Sequence, residues 1–292
     1  MIELTKKNTE ASTDGLQLAY WTHTSCNSDG KCLLLVHGGA SNHTRWSEFA
    51  ALSKLNQNWN IIAPDMRGNG SSMTRRQVDI PTWCADLHDI LNAEKAKTIV
   101  IVGHSLGAQI AIHFVDRYPE KVQGLALIDT VFQSSLQGKS LWVHHHPKLI
   151  RAAVSIILFF NALGLRRRNF ITPDLRELDK ETRKALQGAD SFEEIAQRYS
   201  ALGPILRHMP MANYLRQALA TVGPMPPLET INAPVLALLS SGTTVGSLER
   251  NMREVGRFKN SDIVSLNANH WPLTETPESV RSAIADWVSS KW

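Results

Sequence analysis

Residues 98–118 read TIVIVGHSLGAQIAIHFVDRY, and this stretch carries the strongest structural signal in the chain. It opens with a short run of apolar and β-branched residues, 98–102, which is typical of a buried strand. Its second half, 106–118, has large apolar side chains at helical spacing, as expected for a helix that packs on a sheet: Ile110, Phe114 and Tyr118. The stretch therefore predicts a strand that leads directly into a helix.

The turn between this strand and this helix is Gly103-His104-Ser105-Leu106-Gly107. Side chains at the two glycine positions would collide where the strand and the helix cross closely, so glycine is a physical requirement there. The serine would then occupy a strained turn at the carboxyl end of the strand, with its hydroxyl exposed. We predict that Ser105 is a nucleophile.

Short apolar runs bounded by turn residues alternate with stretches of helical spacing along most of the chain. The runs predicted as strands are 16–22, 32–37, 60–64, 98–102, 124–128, 235–239 and 262–266. The stretches predicted as helices are 45–55, 83–92, 106–118, 248–258 and 277–288. This alternation predicts an α/β fold with a doubly wound, mainly parallel sheet.

The alternation stops in residues 131–222, where prolines and helical or irregular segments replace the strand signals. We predict a helical cap there, inserted into one core made of residues 1–130 and 223–292. No Asp or Glu occurs in 130–173, whereas six Lys or Arg residues do, and the apolar run 152–165 lies between basic ends. This combination predicts either an acyl pocket or a weak contact with a membrane or anionic lipid surface. A helix simply buried against the rest of the protein is the alternative.

Composition excludes several classes of protein. The 292 residues are 43% apolar, which suffices for a large core. The net charge is +4, but the basic residues do not interleave with aromatic residues as they would in a nucleic-acid-binding surface. Cys26, Cys32 and Cys84 follow neither a disulfide pattern nor a metal-ligand spacing, so we expect no metal and no cofactor. Residues 1–14 lack the apolar core of a signal peptide, and 152–165 is shorter than the ~20 residues of a membrane-spanning helix. These features favour a cytoplasmic location and leave the oligomeric state open.

Five segments together resemble a known family. They are LLLVHGG at 33–39, APDMRGNGS at 63–71, VGHSLG at 102–107, LALID at 125–129 and NHWP at 269–272. In this order and spacing they resemble the α/β-hydrolase family over nearly the whole chain outside the predicted cap. The resemblance implies a nucleophile at Ser105 and an oxyanion hole formed by the backbone N–H groups of Gly39 and Leu106.

His270 is the histidine predicted to act as the general base. Its loop follows the predicted strand 262–266 and precedes the last helix, so it opens at the same edge of the sheet as Ser105. A neutral imidazole there can accept the serine proton and later return it to the leaving group.

The acid that would orient this histidine departs from the commonest family pattern. The loop that usually carries it, 240–247, reads SSGTTVGS and contains no carboxylate. In some relatives, such as haloalkane dehalogenases, the acid follows the preceding strand, and Asp129 occupies that position here. We therefore favour Asp129, with Glu249 or a bare Ser–His pair as the alternatives.

Together these residues predict a serine hydrolase that cleaves a carboxylic ester, including lipid-like or other hydrophobic acyl esters, through an acyl-enzyme on Ser105. A serine at this turn disfavours dehalogenase and epoxide hydrolase chemistry, which the family performs with an aspartate there. The alternatives are a thioesterase, a lactonase, a carbon–carbon bond hydrolase, or a non-catalytic ligand-binding protein of the same fold. The expected partner is a small-molecule acyl substrate.

Overall fold

A single eight-stranded sheet forms the centre of the computed structural model, which describes residues 3–23, 31–187, 202–242 and 247–292. Its strands are β1 Thr5–Glu10, β2 Gln17–His23, β3 Lys31–Val36, β4 Asn60–Pro64, β5 Thr98–His104, β6 Val122–Ile128, β7 Val235–Ser240 and β8 Ser261–Leu266. Their order in the sheet is β1-β2-β4-β3-β5-β6-β7-β8. Strand β2 pairs antiparallel with β1 and β4, and the six strands β3 to β8 are parallel to one another. The predicted mainly parallel sheet is confirmed.

Helices cover both faces of this sheet, as a doubly wound fold requires. The α-helices are Ser47–Leu52, Ile80–Ala93, Leu106–Arg117, Gly138–His145, Pro147–Ala162, Leu175–Gln187, Leu202–His208, Met211–Thr221, Leu248–Val255, Pro272–Glu275 and Pro277–Lys291. Trp83 and Phe114 pack into the core on one face of the sheet. Phe49 and Ile284 pack into a second core on the other face.

Strand β1 was missed by the sequence prediction. Its residues, TKKNTE, are polar and largely exposed, because the strand lies at the edge of the sheet and pairs only with β2. The central strands β5, β6 and β7 were found because both of their faces are buried and their sequences are almost continuously apolar.

The single helix predicted over 45–55 is wrong. A 3₁₀ turn, His43–Trp46, precedes the helix Ser47–Leu52, and a second 3₁₀ turn, Lys54–Gln57, follows it. The break falls at Ser53, whose backbone is extended and whose hydroxyl accepts a hydrogen bond from the Leu55 N–H. A serine side chain that bonds to its own backbone in this way competes with continued helix.

Between β6 and β7 the described chain forms helices joined by loops, among them the irregular stretch 163–174, and residues 188–201 lie outside the described residues. The helices Leu175–Gln187 and Met211–Thr221 bring this part of the chain to the edge of the sheet where the parallel strands end. Its boundaries as a separate cap stay a prediction. Among the described helices, none combines the length and the apolar character needed to cross a bilayer.

Candidate active site

Ser105 lies on a strained turn between β5 and the helix Leu106–Arg117. Its backbone has φ 53° and ψ −118°, a conformation that L-residues rarely adopt. A Cβ atom at Gly103 would lie 2.4 Å from the carbonyl oxygen of Gly107, and one at Gly107 would lie 2.3 Å from the carbonyl oxygen of Val36. Both glycines are therefore required by close backbone packing, and the serine is held at the carboxyl end of β5.

His270 meets Ser105 although 165 residues separate them: its Nε2 lies 2.9 Å from Ser105 Oγ. The histidine follows β8, and two neighbours hold its backbone in place. Glu275 accepts a hydrogen bond from the Asn269 N–H at 2.9 Å, and His104 Nε2–H donates to the carbonyl oxygen of His270 at 2.8 Å. Burial, followed by the charge of the nearby His270, lowers the pKa of His104 to about 3, so His104 stays neutral. It acts on His270 through the backbone.

Asp129 lies directly after β6 and faces the other nitrogen of the same imidazole. Its Oδ2 is 3.5 Å from His270 Nδ1, and its Oδ1 accepts a 2.7 Å hydrogen bond from the Ser240 N–H. Burial opposes ionisation of this carboxyl, but the interactions with His270 and Ser240 outweigh it, so the pKa of Asp129 lies below its usual value. A carboxylate is thus available beside the imidazole at neutral pH.

The alternative acid, Glu249, lies elsewhere. It is exposed on the helix Leu248–Val255 and pairs with Arg253 one turn further on. Within the described part of the chain, Asp129 is the carboxylate that reaches His270. Residues 243–246 of the loop after β7 lie outside the described residues.

The turn that carries Gly39 packs against the serine. A Cβ atom at Gly38 would lie 3.4 Å from Ser105 Cβ, and one at Gly39 would lie 3.9 Å from Leu106 Cδ2. His37 anchors this turn, because its Nε2 accepts a 3.0 Å hydrogen bond from the Met66 N–H. Burial lowers the pKa of His37 to about 4, which keeps that acceptor unprotonated. The two predicted oxyanion donors are therefore neighbours of the nucleophile.

Gln217 is a site residue that the sequence analysis missed. It is buried on the helix Met211–Thr221, and its Oε1 accepts a 2.8 Å hydrogen bond from the Ala40 N–H. Its Nε2 donates to Asn69 Oδ1 at 3.1 Å. Gln217 thus fixes the residue after Gly39. No motif marks this glutamine, because its role depends on how a helix between β6 and β7 packs on the sheet.

A cavity of about 370 Å³ opens beside Ser105 and His270. Much of its wall is apolar and comes from the chain between β6 and β7: Val143, Leu175, Leu178, Ile205, Ala218 and Val222. A larger groove of about 870 Å³ is lined by His43, Glu48 and Arg183 but by neither Ser105 nor His270, so we place the candidate site in the smaller cavity. Among the described residues, no group of three or more His, Cys, Asp or Glu side chains is arranged to hold a metal ion.

Comparison with known proteins identifies the family. A family profile described as the alpha/beta hydrolase fold matches residues 31–277, and the chain belongs to this family. Protein phosphatase methylesterase 1 of Bos taurus is 32% identical over 139 residues, which are 44% of this chain and 37% of that protein. Lipase 1 of Psychrobacter immobilis is 29% identical over 135 residues, 43% of this chain and 41% of the lipase. The chain spans less than half the length of these curated relatives.

The similarity to solved structures extends over the whole chain. A thermophilic esterase from Thermogutta terrifontis superposes with a TM-score of 0.68 at 20% identity, and the alignment covers 99% of both chains. At this identity the likeness establishes the shared fold alone.

Proposed function

We propose that this protein is a serine hydrolase that cleaves a carboxylic ester through an acyl-enzyme intermediate on Ser105. The observation that carries the proposal is the 2.9 Å approach of His270 Nε2 to Ser105 Oγ on a strained turn. A nucleophile and a base within hydrogen-bonding reach, with a third group beside the base, are the geometric signature of nucleophilic acyl transfer. The names of the relatives, which include an esterase, a lipase and a methylesterase, agree with this chemistry.

In the acylation step, Ser105 Oγ forms a bond to the substrate carbonyl carbon while its proton moves to His270 Nε2. The carbonyl electrons move onto the oxygen, and the N–H groups of Gly39 and Leu106 stabilise this oxyanion. Asp129 stabilises the imidazolium that forms. Collapse of the tetrahedral intermediate breaks the bond to the alcohol oxygen, which takes the proton from His270.

In the deacylation step, a water molecule replaces the alcohol. His270 Nε2 accepts a proton from this water as its oxygen attacks the acyl carbon, and the second tetrahedral intermediate forms at the same two N–H donors. When this intermediate collapses, Ser105 Oγ leaves and recovers its proton from His270. The net reaction is an ester plus water giving an acid plus an alcohol, and it needs no cofactor.

The shape and lining of the cavity favour a hydrophobic acyl group. Its volume of about 370 Å³ suits a small ligand, and apolar side chains such as Val143, Leu178 and Ile205 would contact the acyl chain. Each methylene that enters such a wall contributes about 0.8 kcal/mol, roughly a fourfold gain in kcat/KM. Longer acyl esters should therefore react faster until the cavity is full.

A nitrophenyl-ester panel of increasing acyl length tests the proposal. The wild-type protein should hydrolyse these esters, and Ser105→Ala should reduce kcat by at least about 10⁴-fold. The control Ser134→Ala removes an exposed serine hydroxyl outside the cavity and should leave kcat unchanged. Thioesters and lactones are tested in the same assay, and their rates of hydrolysis distinguish the alternative acyl chemistries. Hydrolysis that survives Ser105→Ala, or no turnover of any acyl compound, would contradict the proposal.

A further inference from the structure

An unusual set of apolar side chains lies exposed along the helix Pro147–Ala162 and the residue after it. They are Leu149, Ile156, Phe159, Phe160 and Leu163, which are between 46% and 63% exposed. We call these five residues the outer apolar face. Their helical spacing puts them on one side of the helix. A contiguous apolar surface of this kind usually marks an interaction site.

The opposite side of this helix is already packed. Ile150 and Val154 are buried, and the helix packs against the helix Met211–Thr221. The outer apolar face therefore cannot turn inward without exposing the residues that hold the helix on the protein.

Positive charges lie on the same helix and shortly after its end. Lys148, Arg151, Arg166 and Arg168 are exposed, and no ion pair within the described ranges involves any of them. The sequence supplies no local neutralisation, because residues 130–173 contain no Asp or Glu. We call these four residues the basic rim.

A further cation lies close to this rim. Arg75 donates a hydrogen bond to the carbonyl oxygen of Arg167. Burial, and after it the positive charge of Arg166, lowers the pKa of Arg75. Arg75 and Arg166 are thus close enough to repel each other, and an anionic partner would relieve that repulsion.

We propose that the outer apolar face and the basic rim bind the surface of an anionic lipid bilayer, with the helix Pro147–Ala162 lying parallel to the membrane plane. Apolar side chains on an amphipathic helix enter the boundary between headgroups and acyl chains, while Lys and Arg contact lipid phosphates. A second copy of this chain fits less well, because it would bring two basic rims together without carboxylates. The helix has 16 residues and lies on the membrane without crossing it.

This surface adjoins the elements that line the candidate site. Lys139 and Val143 line the cavity from the helix Gly138–His145, and Leu141 and Trp142 on the same helix are 38% and 51% exposed. Membrane binding would bring the helix Gly138–His145, and with it this side of the cavity, close to the bilayer, where hydrophobic esters accumulate. The binding itself rests on residues that take no part in the proposed ester hydrolysis.

Vesicle co-sedimentation tests the binding directly. The full chain carrying Ser105→Ala is mixed with phosphatidylcholine vesicles, with or without phosphatidylglycerol. We expect binding that requires the anionic lipid and weakens as salt is added. The double variant Phe159→Ser/Phe160→Ser should lower the partition coefficient roughly tenfold or more, since it removes two aromatic side chains from the bilayer contact. Lys148→Gln/Arg151→Gln should lower it by a similar factor, since each cation near the surface contributes about fivefold.

Matched controls remove the same groups from other parts of the surface. Leu52→Ser/Met252→Ser removes two exposed apolar side chains, and Lys54→Gln/Lys259→Gln removes two exposed charges. Both control variants should bind as the parent does. Circular dichroism confirms that each variant is folded.

Three outcomes would overturn the inference. The first is equal sedimentation with neutral and anionic vesicles, or none with either. The second is binding that the face and rim variants leave unchanged. The third is a protein that self-associates in solution through the outer apolar face, with Phe159→Ser/Phe160→Ser restoring the monomer, because a second copy would then be the occupant. Since Ser105→Ala is already present, these results do not depend on whether the protein hydrolyses esters.

Discussion

Replacing Asp129 by asparagine tests how His270 is held and charged. In the wild-type protein, one oxygen of Asp129 accepts the Ser240 N–H at 2.7 Å and the other faces His270 Nδ1 at 3.5 Å. An asparagine that keeps the Ser240 hydrogen bond must turn its NH₂ group toward Nδ1. Nδ1 then has to accept, so the ring proton moves to Nε2. A protonated Nε2 cannot take the proton of Ser105.

The magnitude of this effect follows from the distance. Two opposite unit charges 3.5 Å apart, at an effective dielectric constant of about 20, interact by about 5 kcal/mol. Losing that stabilisation of the imidazolium corresponds to a decrease in kcat of roughly 10³- to 10⁴-fold. Because the pKa of Asp129 lies below its usual value, wild-type activity should not be limited by protonation of this carboxyl at pH 5 or above.

The assay is steady-state hydrolysis of a nitrophenyl ester by Asp129→Asn and by the control Glu249→Gln. The control changes the alternative acid, which is exposed and paired with Arg253, and its kcat should match that of the wild type. If Asp129→Asn retained kcat within a few-fold of the wild type, or if Glu249→Gln lost activity instead, the reasoning about the acid would be refuted.

Three further predictions concern the supports of the site. Gly103→Ala should lower the free energy of unfolding by about 1–3 kcal/mol in urea titrations, because the new Cβ would lie 2.4 Å from a backbone oxygen; an unchanged midpoint would contradict this close packing. Gln217→Leu leaves the Ala40 N–H without its partner and should lower kcat roughly 10- to 100-fold with little change in KM, so full activity would show that the glutamine is dispensable. Burial lowers the pKa of His104 from 6.5 to about 3, so between these values the unfolded chain binds a proton that the folded chain does not. As the pH falls from 6.5, the free energy of unfolding of the wild type should therefore fall relative to His104→Gln by about 1.4 kcal/mol per pH unit, and parallel curves would contradict the buried neutral state.

The sequence allowed much of the core to be predicted because buried parallel strands leave a strong signal. Strands β5, β6 and β7 are almost continuously apolar, and their carboxyl ends meet at one edge of the sheet. The order of the strands was therefore enough to predict that Ser105 and His270 lie at the same edge of the sheet. Strand β1 was not predicted, because a polar strand at the edge of the sheet with one neighbour needs no apolar pattern.

The supporting contacts could not be predicted in the same way. Gln217 meets Ala40 across 177 residues, and the contact depends on how one helix docks on the sheet. His104 lies within the predicted turn, yet its hydrogen bond to the backbone of His270 requires the positions of both loops. The sequence favoured Asp129 and left Glu249 or a bare Ser–His pair as alternatives, and the 3.5 Å distance from Asp129 to His270 had to come from coordinates.

The central claim is that Ser105 is the residue that forms a covalent bond with the substrate, activated by His270. Labelling with a fluorophosphonate, followed by peptide mass mapping, measures this directly. The wild-type protein should gain one adduct on Ser105, and labelling should disappear in Ser105→Ala and become very slow in His270→Ala. An adduct on another residue, or undiminished labelling of Ser105→Ala, would contradict the account.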